Sequence, residues 1–153
     1  MTHNFESIRT PPLRVCLSNM YDPELLAIYM RKYRDDTHNE PEIQKRLERS
    51  IRAVVGDFSA TTKIVKSSGK GKIKVRTSVK NKAKVEVYLT SQRLATSYYR
   101  LDDLAWIIPL DVKKSKDPAP MCWGISEGTA PAVFERYQEE FNQILKEAQR
   151  VYP

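Results

Sequence analysis

Between positions 72 and 90 the side chains alternate, and this alternation constrains the fold more than any other feature of the chain. Ile73, Val75, Thr77 and Val79 interleave with Lys72, Lys74, Arg76 and Lys80, and Ala83, Val85, Val87 and Leu89 interleave with Lys84, Glu86, Tyr88 and Thr90. Successive side chains of a pleated strand point to opposite faces, so a period of two puts the first set on one side of a sheet and the second on the other. A helix would scatter both sets around its circumference. Lys80-Asn81-Lys82 reverses the chain between the two runs, and Ile64 adds a short strand ahead of the flexible Ser67-Ser68-Gly69-Lys70-Gly71 turn. The expectation is an antiparallel meander with one apolar and one basic face.

The charge of the chain is concentrated in this segment. Positions 63–84 hold nine basic residues, Lys63, Lys66, Lys70, Lys72, Lys74, Arg76, Lys80, Lys82 and Lys84, and no acidic one. The chain carries 26 Lys and Arg against 19 Asp and Glu; without those nine, 17 basic residues would face 19 acidic ones. The whole positive excess of +7 is therefore local. Like charges side by side on a sheet repel, so such a face is expected to hold an anion.

The flanking segments carry a helical period. Asp22-Pro23-Glu24 signals a helix start, followed by the stripe Leu25, Leu26, Ile28, Tyr29 and Tyr33. Asn39, with Glu42 three residues on, has the form of a capping box. Ile43, Leu47, Ile51, Val54 and Val55 then form an apolar stripe that Gly56 should terminate. Near the other end, Thr129 is a candidate N-cap with Pro131 in the first turn, ahead of Val133, Phe134, Tyr137, Phe141, Ile144, Leu145, Ala148 and Val151. Leu13, Val15 and Leu17 suggest an early strand, and the segments 92–99, 104–110 and 121–125 suggest later ones. The organisation expected is a single α+β domain over 1–153. It has an extended lead-in at 1–12, a helical part at 22–56, a β part at 62–126 and a C-terminal helix at 129–151. Its sheet is an antiparallel meander or partial barrel of about five or six strands, with the last helix packed on it.

At 153 residues and 41% hydrophobic content the chain can bury a real core. Cys16 and Cys122 lie in apolar contexts and far apart, which makes no zinc motif and suggests buried free thiols, with a single disulfide as the alternative. The first residues lack a signal-peptide layout, no apolar run approaches the roughly 20 residues of a membrane span, and there is no N-x-Ser/Thr sequon. These features suggest an intracellular protein of the cytoplasm or nucleus, with no transmembrane segment.

Catalytic chemistry has little to build on. His3 and His38 have no evident nucleophile partner. Gly69-Lys70-Gly71-Lys72 lacks the Walker spacing and leads into a strand instead of a helix. Asp111-Val112-Lys113 has the acidic-x-Lys form found at strand ends of Mg²⁺-dependent nucleases. Asp57, Asp102 or Asp103 would supply a second carboxylate. No cofactor motif is present, and a binding role is favoured over an enzymatic one.

The basic face suggests a non-catalytic nucleic-acid-binding protein, for DNA or RNA, in which Lys63 to Lys84 neutralise phosphates. Tyr88 would stack on a base, and Tyr98 or Tyr99 would extend the platform. Lysine predominates, and as a point charge it reads bases poorly, so low sequence specificity is expected. A protein partner or a homodimer is a further expectation, the C-terminal stripe being able to serve as an interface. Strands followed by a long amphipathic C-terminal helix resemble the layout of the pleckstrin-homology and phosphotyrosine-binding superfold. Lys63 with Lys74-Val75-Arg76 resembles the basic residues lining the inositol-phosphate pocket of some members. That resemblance implies the alternative, an adaptor for a phosphoinositide or a peptide. A metal nuclease is the third reading.

Overall fold

The structure is a computed structural model that describes residues 12–32, 39–57, 61–78, 84–109 and 122–153. In chain order its elements are β1 (Leu13–Ser18), α1 (Pro23–Lys32), α2 (Glu40–Val55), β2 (Lys63–Lys66), β3 (Ile73–Arg76), β4 (Val85–Thr90), β5 (Thr96–Leu101), β6 (Leu104–Pro109), β7 (Trp123–Ser126), α3 (Pro131–Glu147) and β8 (Gln149–Tyr152). The class is α+β, with the strands in three sheets that do not close into a barrel.

Both early helices start where their caps lie. The Asp22 carboxylate accepts the amides of Glu24 at 2.9 Å and Leu25 at 3.2 Å, satisfying two of the donors a helix start leaves open. Asn39 accepts the Glu42 amide at 3.0 Å, and Gly56 ends α2 in the left-handed region at φ 78°. Ile43, Leu47, Ile51 and Val55 form the buried stripe of α2. They pack with Leu25 and Leu26 of α1 against Ile73, Val85, Val87, Leu89 and Val151.

The sheet built around β4 departs from the meander. The β4 strand is the centre of a three-stranded sheet, parallel to β1 and antiparallel to β8, whereas β3 pairs only with β2 in a separate antiparallel hairpin. The alternation holds within the described strands, with Ile73, Val85, Val87 and Leu89 buried, but the strand beside β4 is not the expected one. The fold instead gives β4 flanking strands that carry Arg14 and Arg150, which close on Glu86 from both sides. The Lys80-Asn81-Lys82 reversal lies outside the described residues.

The third sheet, β5-β6-β7, is an antiparallel meander. One of its faces meets α3: the Tyr98 ring lies 6.1 Å from Tyr137 and 5.7 Å from Phe141, and the Arg100 guanidinium lies 5.0 Å from the Phe134 ring. Ala105 and Ile107, on that same face by register, are buried. The C-terminal helix thus packs on β5-β6-β7 and not on the hairpin that carries the basic segment, whose Ile64, Ile73 and Val75 join the core cluster with α1 and α2.

Two boundaries shift at this end of the chain. The N-cap of α3 is Ala130, not Thr129, whose amide and hydroxyl both engage Ser126. The helix stops at Glu147, and Val151 sits in strand β8. Gln149 to Tyr152 alternates exposed Arg150 with buried Val151, a period of two that fills the open side of β4. The chain therefore departs from the pleckstrin-homology layout, since a strand follows its last long helix. No helix among the described residues is long and apolar enough to cross a membrane.

Candidate nucleic-acid interface

The β2–β3 hairpin presents a cationic face built by register. Lys63 is directly opposite Arg76, and Val65 is directly opposite Lys74, so these four side chains share one side of the ribbon. All four are exposed. The other side holds Ile64, Ile73 and Val75, which join the core. Directly opposed Cβ atoms in an antiparallel pair lie about 5 Å apart and diagonal ones about 7–8 Å apart. Lys63, Arg76 and Lys74 therefore form a tight triangle of positive charge. Among the described residues none of the three makes an ion pair with a carboxylate.

Other basic residues of the segment are placed differently. Lys72 flanks the turn, where its amide donates to the Gly69 carbonyl at 3.3 Å, and a Cβ at Gly69 would meet the Lys72 stem at 2.9 Å. Lys70 pairs with Glu24 at 2.6 Å, and Lys66 lies 5.6 Å from the centre of the Tyr21 ring, on the side away from the triangle. Lys84 precedes β4 and belongs to neither strand of the hairpin. Lys80 and Lys82 lie outside the described residues.

Tyr88 is not part of this face. It sits on β4, half-buried, with its hydroxyl donating to Glu86 at 3.0 Å. Glu86 also accepts from Arg14 at 3.0 Å and lies 3.2 Å from Arg150, tying β1, β4 and β8 together. Burial pushes the Glu86 carboxyl up. The Tyr88 hydroxyl, the Arg14 bond and the charges of Arg150 and Arg14 outweigh that and hold it below the usual carboxylate range. A group depressed in the folded state adds stability above its unfolded pKa and loses it as pH falls through the folded value. Glu86→Gln should therefore cost about 1–3 kcal/mol near pH 7. The deficit should shrink as pH falls through the folded-state value, as read in urea melts at neutral and at acid pH. An equal deficit at both would remove the electrostatic assignment.

Two other surface features stand out. A cleft of about 590 Å³ lies between the hairpin turn and the ends of β4 and β8, lined among others by Asn19, Lys72, Thr90, Gln92 and Glu147. Asn19 fastens the turn there, donating to the Gly71 carbonyl at 2.8 Å, and Gly71 has φ 69°, a conformation that favours glycine, where a Cβ would lie a tight 3.2 Å from Asn19 and Asp22. The second feature is the outer face of β5-β6-β7. Tyr99 stands opposite Trp106 and Leu101 opposite Leu104, all exposed, with a hollow of about 240 Å³ beside Trp106 where Gly124 lacks a side chain. The aromatic platform of the chain is thus real but separate from its cations. The signal in the sequence is the spacing of two on each side of the Asp102-Asp103 turn, Tyr99 and Leu101 before it and Leu104 and Trp106 after it, which a two-residue turn brings opposite each other.

Among the described residues no catalytic set is assembled. Asp111 and Lys113 lie outside the described residues, as do His3 and His38. Asp57 is buried at the end of α2, accepting from Thr61 at 3.4 Å and from the Thr62 amide, while Asp102 and Asp103 form the exposed β5–β6 turn. No group of three or more His, Cys, Asp or Glu among the described residues is arranged to hold a metal. Both cysteines are free thiols. Cys16 is half-buried, and burial pushes its thiol up to about 11; Cys122 is exposed, against the expectation of two buried thiols. No family model matches the chain, and no curated protein or solved structure is detectably similar to it.

Proposed function

We propose that the protein binds nucleic acid without catalysis, inside the cell, through the outer face of the β2–β3 ribbon. Lys63, Lys74 and Arg76 contact phosphates along it, and Lys72 does so at the turn. The observation that carries this reading is the directly opposed Lys63–Arg76 pair with Lys74 beside it, exposed and without a carboxylate partner among the described residues. Three cations within about 8 Å repel one another. An anion lying across them relieves that repulsion and releases its own counterions. Alternate residues of a strand repeat every 6.6 Å or so, a spacing comparable to that of successive backbone phosphates. The cations are mostly lysines, so phosphate contact outweighs base reading and specificity is low.

The test is a salt titration of binding to a labelled nucleic acid. With three to four phosphates neutralised, log K against log salt should fall with a slope of about −3 to −4. A flat dependence, or tighter binding to phosphoinositide vesicles than to any nucleic acid, would overturn the reading, the second result in favour of an adaptor.

A further inference from the structure

We infer that the polymer taken by this ribbon is B-form duplex DNA, entered through the major groove, and neither a single strand nor an RNA duplex. The inference rests on the nucleic-acid reading above.

The first ground is where the aromatic side chains are. Proteins that hold single strands set aromatic rings among their cations so that unstacked bases can lie on them. Lys63, Val65, Lys74 and Arg76 share their face with no aromatic residue among those described. Tyr88 is on another sheet, with its hydroxyl on Glu86 between two arginines. Exposed Tyr99 and Trp106 lie on β5 and β6 beside Leu101 and Leu104. That face carries no lysine or arginine by register, and Asp102 and Asp103 are at its turn. Stacking surface and phosphate-binding surface are thus on different elements, which suits a polymer whose bases stay stacked.

The second ground is shape. A two-stranded ribbon is about 5 Å between strand axes, and arms of four residues run about 13 Å. The B-DNA major groove, about 12 Å wide, admits such a ribbon face-on, whereas the A-form groove of an RNA duplex is too narrow for it. In that pose the cations sit at both ends, Lys63 and Arg76 at the open end and Lys72 at the turn, where the groove walls bring phosphates. In the middle, Val65 faces base edges, where an apolar side chain suits a thymine methyl, and Lys74 opposite it reaches a phosphate of the groove wall.

The experiment compares the full chain with three fluorescent probes of one sequence at one salt concentration: a DNA duplex of about two turns, its single strand, and the RNA duplex. The DNA duplex should bind at least about tenfold tighter than either alternative. Glucosylated hydroxymethylcytosine, which fills the major groove, should weaken binding by a similar factor, and netropsin in the minor groove should leave it unchanged. Equal or tighter binding to the single strand or the RNA duplex would overturn the duplex inference and leave the general reading standing. Competition by netropsin with indifference to glucosylation would overturn the groove assignment. Failure to bind any of the three probes would overturn both.

Discussion

Replacing Lys63, Lys74 and Arg76 together by glutamate is expected to weaken nucleic-acid binding by about 100-fold or more near physiological salt, and to reduce the salt slope by about three. Each position removes a phosphate contact and installs a repulsive charge, and the formal charge of the chain falls from +7 to +1. All three side chains are exposed and unpaired with any described carboxylate, so the fold should survive. Three glutamates on this face repel one another much as the three cations did, so the melting temperature should stay about unchanged. A control triple at Arg46, Arg49 and Arg136, exposed on helices α2 and α3, makes the same change in net charge away from the ribbon. If the control loses as much affinity as the ribbon variant, attraction is a matter of overall charge and the local site is refuted.

The second large effect concerns stability. Leu89→Ala is expected to cost about 2–5 kcal/mol. Leu89 is 1% exposed on the central strand β4, flanked in register by Leu17 of β1 and Gln149 of β8, and lies in the cluster with α2. Truncation leaves a cavity between elements held on both sides by hydrogen-bonded strands, which restricts collapse. At roughly 2–4 °C per kcal/mol for a chain of this size, the melting temperature should drop clearly. Leu101→Ala is the matched control: the same atoms are removed at a position 66% exposed, and the change should stay within about 0.5 kcal/mol. Similar losses in the two variants would contradict the placement of β4 at the centre of the core.

The helices were the most legible part of the chain because their signals are local. Asn39 with Glu42, Gly56, and the spacing of Ile43, Leu47, Ile51 and Val55 each act within a turn or two, and α2 forms as they dictate. The end of α3 was misread because the apolar stripe continues through Ala148 to Val151, and nothing local marks the break. Pairing of this stretch with β4, Tyr152 opposite Val87 and Val151 buried in the core, decides it. The site was legible to the same depth. Alternation placed Lys74 and Arg76 opposite Ile73 and Val75, and the hairpin keeps that separation. It also grouped Lys84 and Tyr88 with them, which the fold does not.

What the sequence alone determined is which side of its element each residue takes. Period and caps arise from the geometry of one strand or one helix, and they hold whatever lies next door. Tertiary structure decided the neighbours. It made β4 the centre of a sheet between the first and last strands, left β2 and β3 as a separate ribbon, and parted Tyr88, Tyr99 and Trp106 from the lysines. Strand pairing depends on which distant segment offers a complementary face. Arg14 and Arg150 meet Glu86 from opposite ends of the chain, and nothing local to any of the three names the others as partners.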